Sequence, residues 1–379
     1  MTQPQTVRDY EELGLSKLWK FPTMYYMRGA DDEQTARDSE SAFQRYRLRP
    51  RILRGISSIS KRCTVLGHEI NFPICLAPTA CCRFAHVEKE IGTCKAARKL
   101  RTLMVHSCAS TTSIRELMEA VPGALVWQQL YLFKNKSLTQ QMVKEAEASG
   151  VKAFVVTVDA AGGCNRRISP TTEGSTVLAG NIDFKLLNFE ITTPDCAGFK
   201  QMGDQNLWAY CAYQCQESSN SIEDLRWIRS ITTLPIIVKG IITGKDARRV
   251  IDEGIASAII VSAHGGRQLD GIPAPIDALG EVLEAVRSTG SSTEVYMDGG
   301  VRSGSDVFKA LAAGAKAVFI GRPALWALAA NGSDGVAHLL EIFREELHDV
   351  MAQCGCATLE DITPSSVIHE SKYLARLEP

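Results

Sequence analysis

An imidazole and a guanidinium stand three residues apart in Ser262-Ala263-His264-Gly265-Gly266-Arg267-Gln268-Leu269-Asp270, directly after the apolar run Ala258-Ile259-Ile260-Val261. The run reads as a buried strand, so both groups are delivered to a strand end on a loop whose glycines allow close backbone approach to a ligand. His264 suits a general base, because its charge changes near neutral pH. It is one of seven histidines, and none of the others lies at metal-ligand spacing from it, so no metal is expected. Asp159 is placed to hydrogen-bond the second ring nitrogen, fixing the tautomer and stabilising the imidazolium formed when a proton is taken. Arg267 and Arg166 suit a carboxylate clamp, since a guanidinium matches two oxygens and stays charged at any working pH. Singly, each has an ordinary alternative: Asp159 as a helix N-cap, Lys239 as a salt-bridging lysine, either arginine as a surface ion pair.

A second cluster reads as an anion site. Asp298-Gly299-Gly300-Val301-Arg302-Ser303-Gly304 and Gly321-Arg322-Pro323 join glycine-rich turns to the starts of expected helices, with Arg302 and Arg322 supplying charge. Exposed backbone N–H groups and a helix N-terminus together cradle phosphate.

The elements that would carry these residues repeat eight times. Short apolar runs stand at Ile74–Pro78, Leu103–Ser107, Ala124–Leu130, Phe154–Val158, Pro235–Val238, Ala258–Val261, Glu294–Met297 and Ala317–Ile320. Amphipathic stretches separate them, at Glu88–Lys99, Ile114–Val121, Leu138–Ala148, Ile222–Arg229, Gly244–Glu253, Ile276–Arg287 and Ser305–Ala313, with Gly150, Gly254 and Gly314 as stops. Strand then helix, eight times over, predicts an α/β fold, a (β/α)8 TIM barrel with a parallel core. Residues 1–70 are expected to form an N-terminal helical cap, 71–355 the barrel, 160–220 an insertion or lid loop after the fourth strand, and 356–379 a C-terminal tail, all within one domain. At the carboxyl ends of the strands stand Thr79 and Ala80, Ser107, Gln129 with Tyr131, Thr157 with Asp159, Lys239, Ser262 with His264, Asp298, and Gly321 with Arg322. Bringing so many polar groups to one rim costs several kcal/mol per unpaired charge unless they are used, which points to an active site.

Composition narrows the rest. A net charge of -1 over 379 residues provides no field that would attract nucleic acid or an anionic membrane. Twelve cysteines without C-x-x-C pairs or a secretory leader suggest a reduced, intracellular and cytoplasmic setting. The stretch 311–330 is interrupted by Lys316 and Arg322, so no membrane span is expected. Ala375-Arg376-Leu377 is similar to a peroxisomal signal but is followed by Glu378-Pro379, so a peroxisomal location is not supported.

From Tyr25 to about Gly355 the chain resembles the FMN-dependent 2-hydroxy-acid oxidases and dehydrogenases, a family that includes plant glycolate oxidases, lactate oxidases and flavocytochrome lactate dehydrogenases. The matching motifs are Tyr25-Tyr26-Met27-Arg28-Gly29-Ala30, Arg49-Pro50-Arg51, Ala77-Pro78-Thr79-Ala80, Gln129-Leu130-Tyr131, Thr157-Val158-Asp159, Leu234-Pro235-Ile236-Ile237-Val238-Lys239-Gly240, the His264 loop and Asp298-Gly299-Gly300-Val301-Arg302. The resemblance implies oxidation of an (S)-2-hydroxy acid, with electrons passing from FMN to oxygen or a separate carrier, and a homo-oligomer, by resemblance a tetramer. It implies Tyr25 and Tyr131 on the substrate, Arg166 and Arg267 on its carboxylate, and His264 as the base supported by Asp159. Flavin contacts would come from Thr79, Ala80, Ser107, Gln129, Thr157, Lys239, Ser262, Asp298, Gly300, Arg302, Gly321 and Arg322. An ammonium at Lys239 would stabilise the negative charge that gathers on flavin N1 upon reduction.

Three departures stand out. Ala263 replaces an Asn of the family loop. Where the family commonly reads D-T-P-x-L-G-x-R, this chain has Asp159-Ala160-Ala161-Gly162-Gly163-Cys164-Asn165-Arg166, keeping both charged ends. A position often aromatic in glycolate oxidases falls at Ala109, or at Cys108 with a one-residue slip. These small residues predict a roomier pocket and a substrate larger than glycolate. Two alternatives remain open at this level: another FMN- or phosphate-binding barrel enzyme, which has no need of the His264, Arg267 and Arg166 set, and a catalytically silent flavin-binding relative, suggested by the altered 160–164 loop.

Overall fold

The computed structural model describes residues 3–160 and 219–374. Eight parallel strands close into a barrel in chain order: β1 (Ile74–Leu76), β2 (Leu103–His106), β3 (Leu125–Tyr131), β4 (Phe154–Thr157), β5 (Ile236–Ile241), β6 (Ala256–Val261), β7 (Glu294–Asp298) and β8 (Val318–Ile320), with β8 pairing back onto β1. Each corresponds to one of the expected apolar runs. The largest boundary difference is in β5, which continues past Val238 to Ile241. The strands are apolar without alternation because both faces are covered, by the barrel interior and by the helices outside.

The interior is packed solid below the mouth. Trp127, Tyr296 and Phe319 form a ring cluster with centroids 5.7 to 6.1 Å apart. Beneath it an antiparallel hairpin, Cys63–Val65 with His68–Ile70, inserts Val65 and Ile70 into the same core. Glu294 fastens this plug: it accepts from Leu66 N at 3.0 Å and also holds Lys316 and the Tyr296 hydroxyl. With the amino ends of the strands closed, the carboxyl ends form the open mouth.

All seven expected helices form between the strands, from Lys89–Leu100 to Gly304–Ala313. After β8 comes Arg322–Cys354, a 33-residue helix kinked at Asn331 and Gly332, which the periodicity alone does not separate. In the amino-terminal region the helices Val7–Lys17, Lys20–Met27 and Gln34–Ser41 form, the last two contributing Tyr25, Tyr26, Ala36 and Ser39 to the mouth. Val7–Lys17 starts at a capping box, Thr6 with Asp9, and packs along the 33-residue helix. Beyond residue 355 the chain returns to the amino-terminal region: Val367–His369 pairs antiparallel with Tyr46–Leu48. The insertion expected at 160–220 falls, apart from its ends, outside the described residues.

The contact between the first and last long helices depends on Gly14, where a Cβ would lie 2.4 Å from the Trp326 carbonyl oxygen. Gly14→Ala must therefore push two backbones apart, with an expected loss of about 1–3 kcal/mol in chemical denaturation and little change in FMN content.

Candidate active site

The cavity at the mouth takes at least one residue from the end of every strand, among them Thr79 and Ala80, Ser107, Gln129 with Tyr131, Thr157, Lys239, His264, Asp298 and Gly321. The eight strand ends are brought together because a closed barrel leaves every carboxyl end at the same rim.

Four charged groups come from four consecutive strands. Asp159 follows β4, Lys239 lies on β5, His264 follows β6 and Asp298 ends β7. His264 Nδ1 lies 2.7 Å from Asp159 Oδ1. Burial works against the Asp159 carboxylate, but the attraction and hydrogen bond of His264, aided by Lys239, hold its pKa below the usual value. Asp159 is thus an acceptor, and the proton on Nδ1 leaves Nε2 to carry acid–base exchange. Lys239 Nζ donates to Ser262 Oγ at 2.8 Å and lies 3.1 Å from Asp298 Oδ2. Burial opposes its charge as well, yet Asp298 and Asp159 outweigh it and raise its pKa. Ser262 Oγ also accepts from the His264 amide at 3.0 Å, so Lys239 and His264 are tied to one hydroxyl. His264 holds φ 54, a left-handed conformation unusual for a side chain with a Cβ.

In the adjoining wall three polar residues at β2, β3 and β4 are linked through Gln129. Gln129 Oε1 accepts from Ser107 Oγ at 3.4 Å and from Cys108 N at 3.0 Å, while its Nε2 donates to Thr157 Oγ1 at 3.1 Å. The Tyr131 ring lies nearly parallel to His264, with centroids 6.4 Å apart. Tyr25 approaches from the amino-terminal helices, with the Arg267 guanidinium 5.1 Å from its ring.

The loop after β6 also anchors those helices, each at the end whose dipole it complements. Arg267 Nη1 donates to Tyr25 O at 2.7 Å and Arg28 O at 3.1 Å, at the carboxyl end of Lys20–Met27. Arg322 reaches the same end, donating to Tyr26 O and Met27 O, and to Gly265 O. Asp270 accepts from Gln34 N at 3.1 Å and Thr35 N at 2.8 Å, capping Gln34–Ser41, whose own N-cap residue Glu33 provides no side-chain capping bond. Gly266 allows the two to close: a Cβ there would lie 2.5 Å from Ala36 backbone atoms. Ala263, in place of the family's Asn, is buried, and its carbonyl accepts from Gly266 N at 2.8 Å.

At the β7 and β8 ends the loop passes so close to the Gln34–Ser41 helix that a Cβ on Gly300 would lie 1.8 Å from Ser39 O. Arg302 stacks on Trp326 at 5.0 Å and lies 3.5 Å from Glu40. Burial, followed by repulsion from Arg267 and Arg302, pushes Arg322 down to about 9. The 33-residue helix opens at Gly321 without a side-chain cap, beside these cations. A buried cationic rim at an uncapped helix N-terminus matches a phosphate group.

Comparisons with known proteins give the chain a family. A family model described as FMN-dependent dehydrogenase matches residues 16–369. The chain belongs to the FMN-dependent dehydrogenase family. It is 43% identical over 361 residues to human 2-hydroxyacid oxidase 1, covering 95% of each chain. It is 42% identical over 379 residues to glycolate oxidase 1 of Oryza sativa subsp. indica, covering 100% of both. Among solved structures, a soluble mutant of the membrane-associated (S)-mandelate dehydrogenase from Pseudomonas putida superposes with a TM-score of 0.85 at 31% identity, covering 97% of this chain and 100% of that one. The cofactor is FMN, and the cavity fits it: besides the phosphate-compatible rim, Asp298 Oδ1 is buried in the wall without a hydrogen-bond partner among the described residues.

As a member of the FMN-dependent dehydrogenase family the chain keeps every expected site residue in or beside this cavity except Arg166, which lies outside the described residues, as do 161–164. Ala109 is half-buried, whereas Cys108 is fully buried, its amide engaged by Gln129. No described helix is long and apolar enough to cross a membrane. Three contributors were not singled out from sequence. Asp270 closes the signature stretch, but its partners are more than 230 residues away. Glu90, fully buried, accepts from Cys82 N and Thr111 N at 3.0 Å each and so ties the loops after β1 and β2. Gly240, the last residue of the Leu234–Gly240 motif, carries no chemical group that would mark it.

Loss of the remote cap gives a direct test. Asp270→Ala is expected to cost about 0.5–2 kcal/mol near neutral pH and to loosen the amino-terminal helices to proteolysis. Although desolvation opposes it, the Thr35 and Gln34 amides hold the Asp270 carboxyl below its usual pKa. Its contribution is therefore present above about pH 4 and lost as pH falls through the lowered pKa, so the stability gap between the two proteins should close in acid.

Proposed function

We propose that the protein oxidises an (S)-2-hydroxy acid to the 2-oxo acid, with His264 as the base. The observation that carries this is the 2.7 Å contact of His264 Nδ1 with a buried Asp159 carboxylate, in the wall of a cavity shared with Lys239 and Arg267. The names of the relatives, hydroxyacid, glycolate and mandelate enzymes, support the same substrate class. Asp159 orients the imidazole and offsets the charge it gains on taking a proton at Nε2. Arg267, fixed by its bonds to the Tyr25 and Arg28 carbonyls, receives the substrate carboxylate, with Arg166 as its partner in the clamp. Tyr25 and Tyr131 direct their hydroxyls to the substrate. Lys239, Ser107, Gln129, Thr157, Ser262 and Asp298 hold the cofactor ring with Thr79 and Ala80, and Gly300, Arg302, Gly321 and Arg322 its phosphate. When bound, FMN accepts the two electrons that leave the substrate. Oxygen or a separate electron carrier takes them on, in a cytoplasmic homo-oligomer, a tetramer by family resemblance.

The small residues at Ala109 and from Ala160 to Cys164, at positions that the family resemblance puts beside the substrate, favour a 2-hydroxy acid with a side chain larger than that of glycolate. kcat/KM is expected to rise from glycolate to lactate, mandelate or long-chain acids, and a clear preference for glycolate would overturn this. Ala109→Trp should depress the larger acids selectively, by about 10- to 100-fold.

The reaction itself is tested by the visible spectrum. The purified protein should be yellow and should bleach when a 2-hydroxy acid is added without oxygen. His264→Gln should stay yellow and reduce about 10²- to 10⁴-fold more slowly. A His264→Gln protein that bleaches at the normal rate removes the histidine from the base role.

A further inference from the structure

The Asp159 carboxylate has its position only because the residue facing it has no side chain. Gly240 follows Lys239 on β5, where pairing with β6 is irregular: Lys239 is opposite Ile260 and Ile241 is opposite the next residue, Val261. Gly240 is therefore the extra residue of a β-bulge, a feature that re-aims neighbouring side chains beside active sites. It adopts φ +111, a conformation closed to residues with a Cβ. A Cβ built there would lie 2.6 Å from both Cβ and Cγ of Asp159 and 2.7 Å from its Oδ2. On the other side of the same strand, Val158 N donates to Lys239 O at 2.9 Å, so β4 is held against the bulge and cannot carry Asp159 away from it. The atoms in conflict belong to a short, largely buried side chain, with Oδ1 bonded to His264 and Oδ2 shielded from solvent.

We propose that Gly240 is a positioning residue: its missing side chain holds open the volume in which Asp159 reaches His264, so that it sets the basicity of an imidazole it does not touch. The inference rests on the reading of His264 as the base. A methyl group at 240 displaces the Asp159 carboxylate, breaks the 2.7 Å contact and removes the anion that raises the imidazole's proton affinity. Misplacement on this scale costs on the order of 10²-fold in rate.

Four proteins test it: Gly240→Ala, Asp159→Gly, the double variant, and Gly254→Ala as a control. Gly254 also has a positive φ, of 66, with nothing within 4 Å of its Cβ, so it reports left-handed backbone strain without a clash. Gly240→Ala should retain FMN, lose about 100-fold in anaerobic reduction at saturating substrate with little change in KM, and shift the acid limb of the rate profile to lower pH. Its His264 imidazole, followed by NMR, should titrate at lower pH than in the unmodified protein. Gly254→Ala should lower the melting temperature alone. In the Asp159→Gly background every Asp159 atom that the added methyl would meet is gone, so adding Gly240→Ala should change the rate by less than about twofold. If Gly240→Ala fails to fold while the double variant folds, the clash is demonstrated directly. An unshifted imidazole titration in Gly240→Ala, multiplicative losses in the double variant, or a double variant that also fails to fold overturns the inference. If instead no 2-hydroxy acid reduces the FMN of the unmodified protein, it is the reading of the reaction that fails, and the NMR comparison still decides the role of Gly240.

Discussion

The structure depends on how two buried carboxylates, one ammonium and one imidazole share a site at the ends of β4 to β7. With the imidazole neutral, Lys239 faces both Asp159 and Asp298, and this quartet carries one excess negative charge. A proton on His264 neutralises it. In a buried setting that difference is large, because charges there are screened far less than in water. The site is therefore built to receive a proton, and the raised affinity of Lys239 for its own proton keeps it from serving as the acceptor. Removing any one member leaves another buried charge without its partner, so these residues maintain the fold as well as the chemistry.

The same economy of parts shows in the loop after β6. Its first residues set Lys239 and His264 through Ser262, while its last residues hold the amino-terminal helices, Arg267 at a carboxyl end and Asp270 at an amino end. Opposite charges at opposite helix ends match the helix dipoles. Formation of the base and closure of the mouth are consequently coupled: the helices that carry Tyr25 are seated by the loop that carries His264. Arg267 and Arg302 both repel Arg322 at the rim, and a bound anion relieves that repulsion.

Much of this was legible in the residues. Eight apolar runs with seven helical stretches between them implied the barrel because fully covered strands need no alternation and parallel strands need crossovers. Once the barrel is granted, a polar residue closing each run must lie at one rim, and so His264, Asp159, Lys239 and Asp298 were found from sequence although 139 positions separate the outermost two, 159 and 298. Strand ends were less legible, since β5 gains its last residues from pairing across a bulge. The kink of the 33-residue helix at Asn331 and Gly332 was not legible either, since it brings Gly332 against Glu88 and His86, a close approach between segments far apart in the chain.

What the sequence by itself determined is the inventory and its order: which groups are chemically capable, and on which strand each arrives, because periodicity and composition are local properties. Only the tertiary structure decided how they meet. That Asp159 bonds Nδ1 of His264, that Asp298 is the counterion of Lys239, that Asp270 caps a helix more than 230 residues upstream, and that Gly240 leaves the room Asp159 occupies all depend on distances between segments remote in the chain. Those distances follow from barrel closure and strand register, which act on the whole chain at once and are written in no single stretch of it.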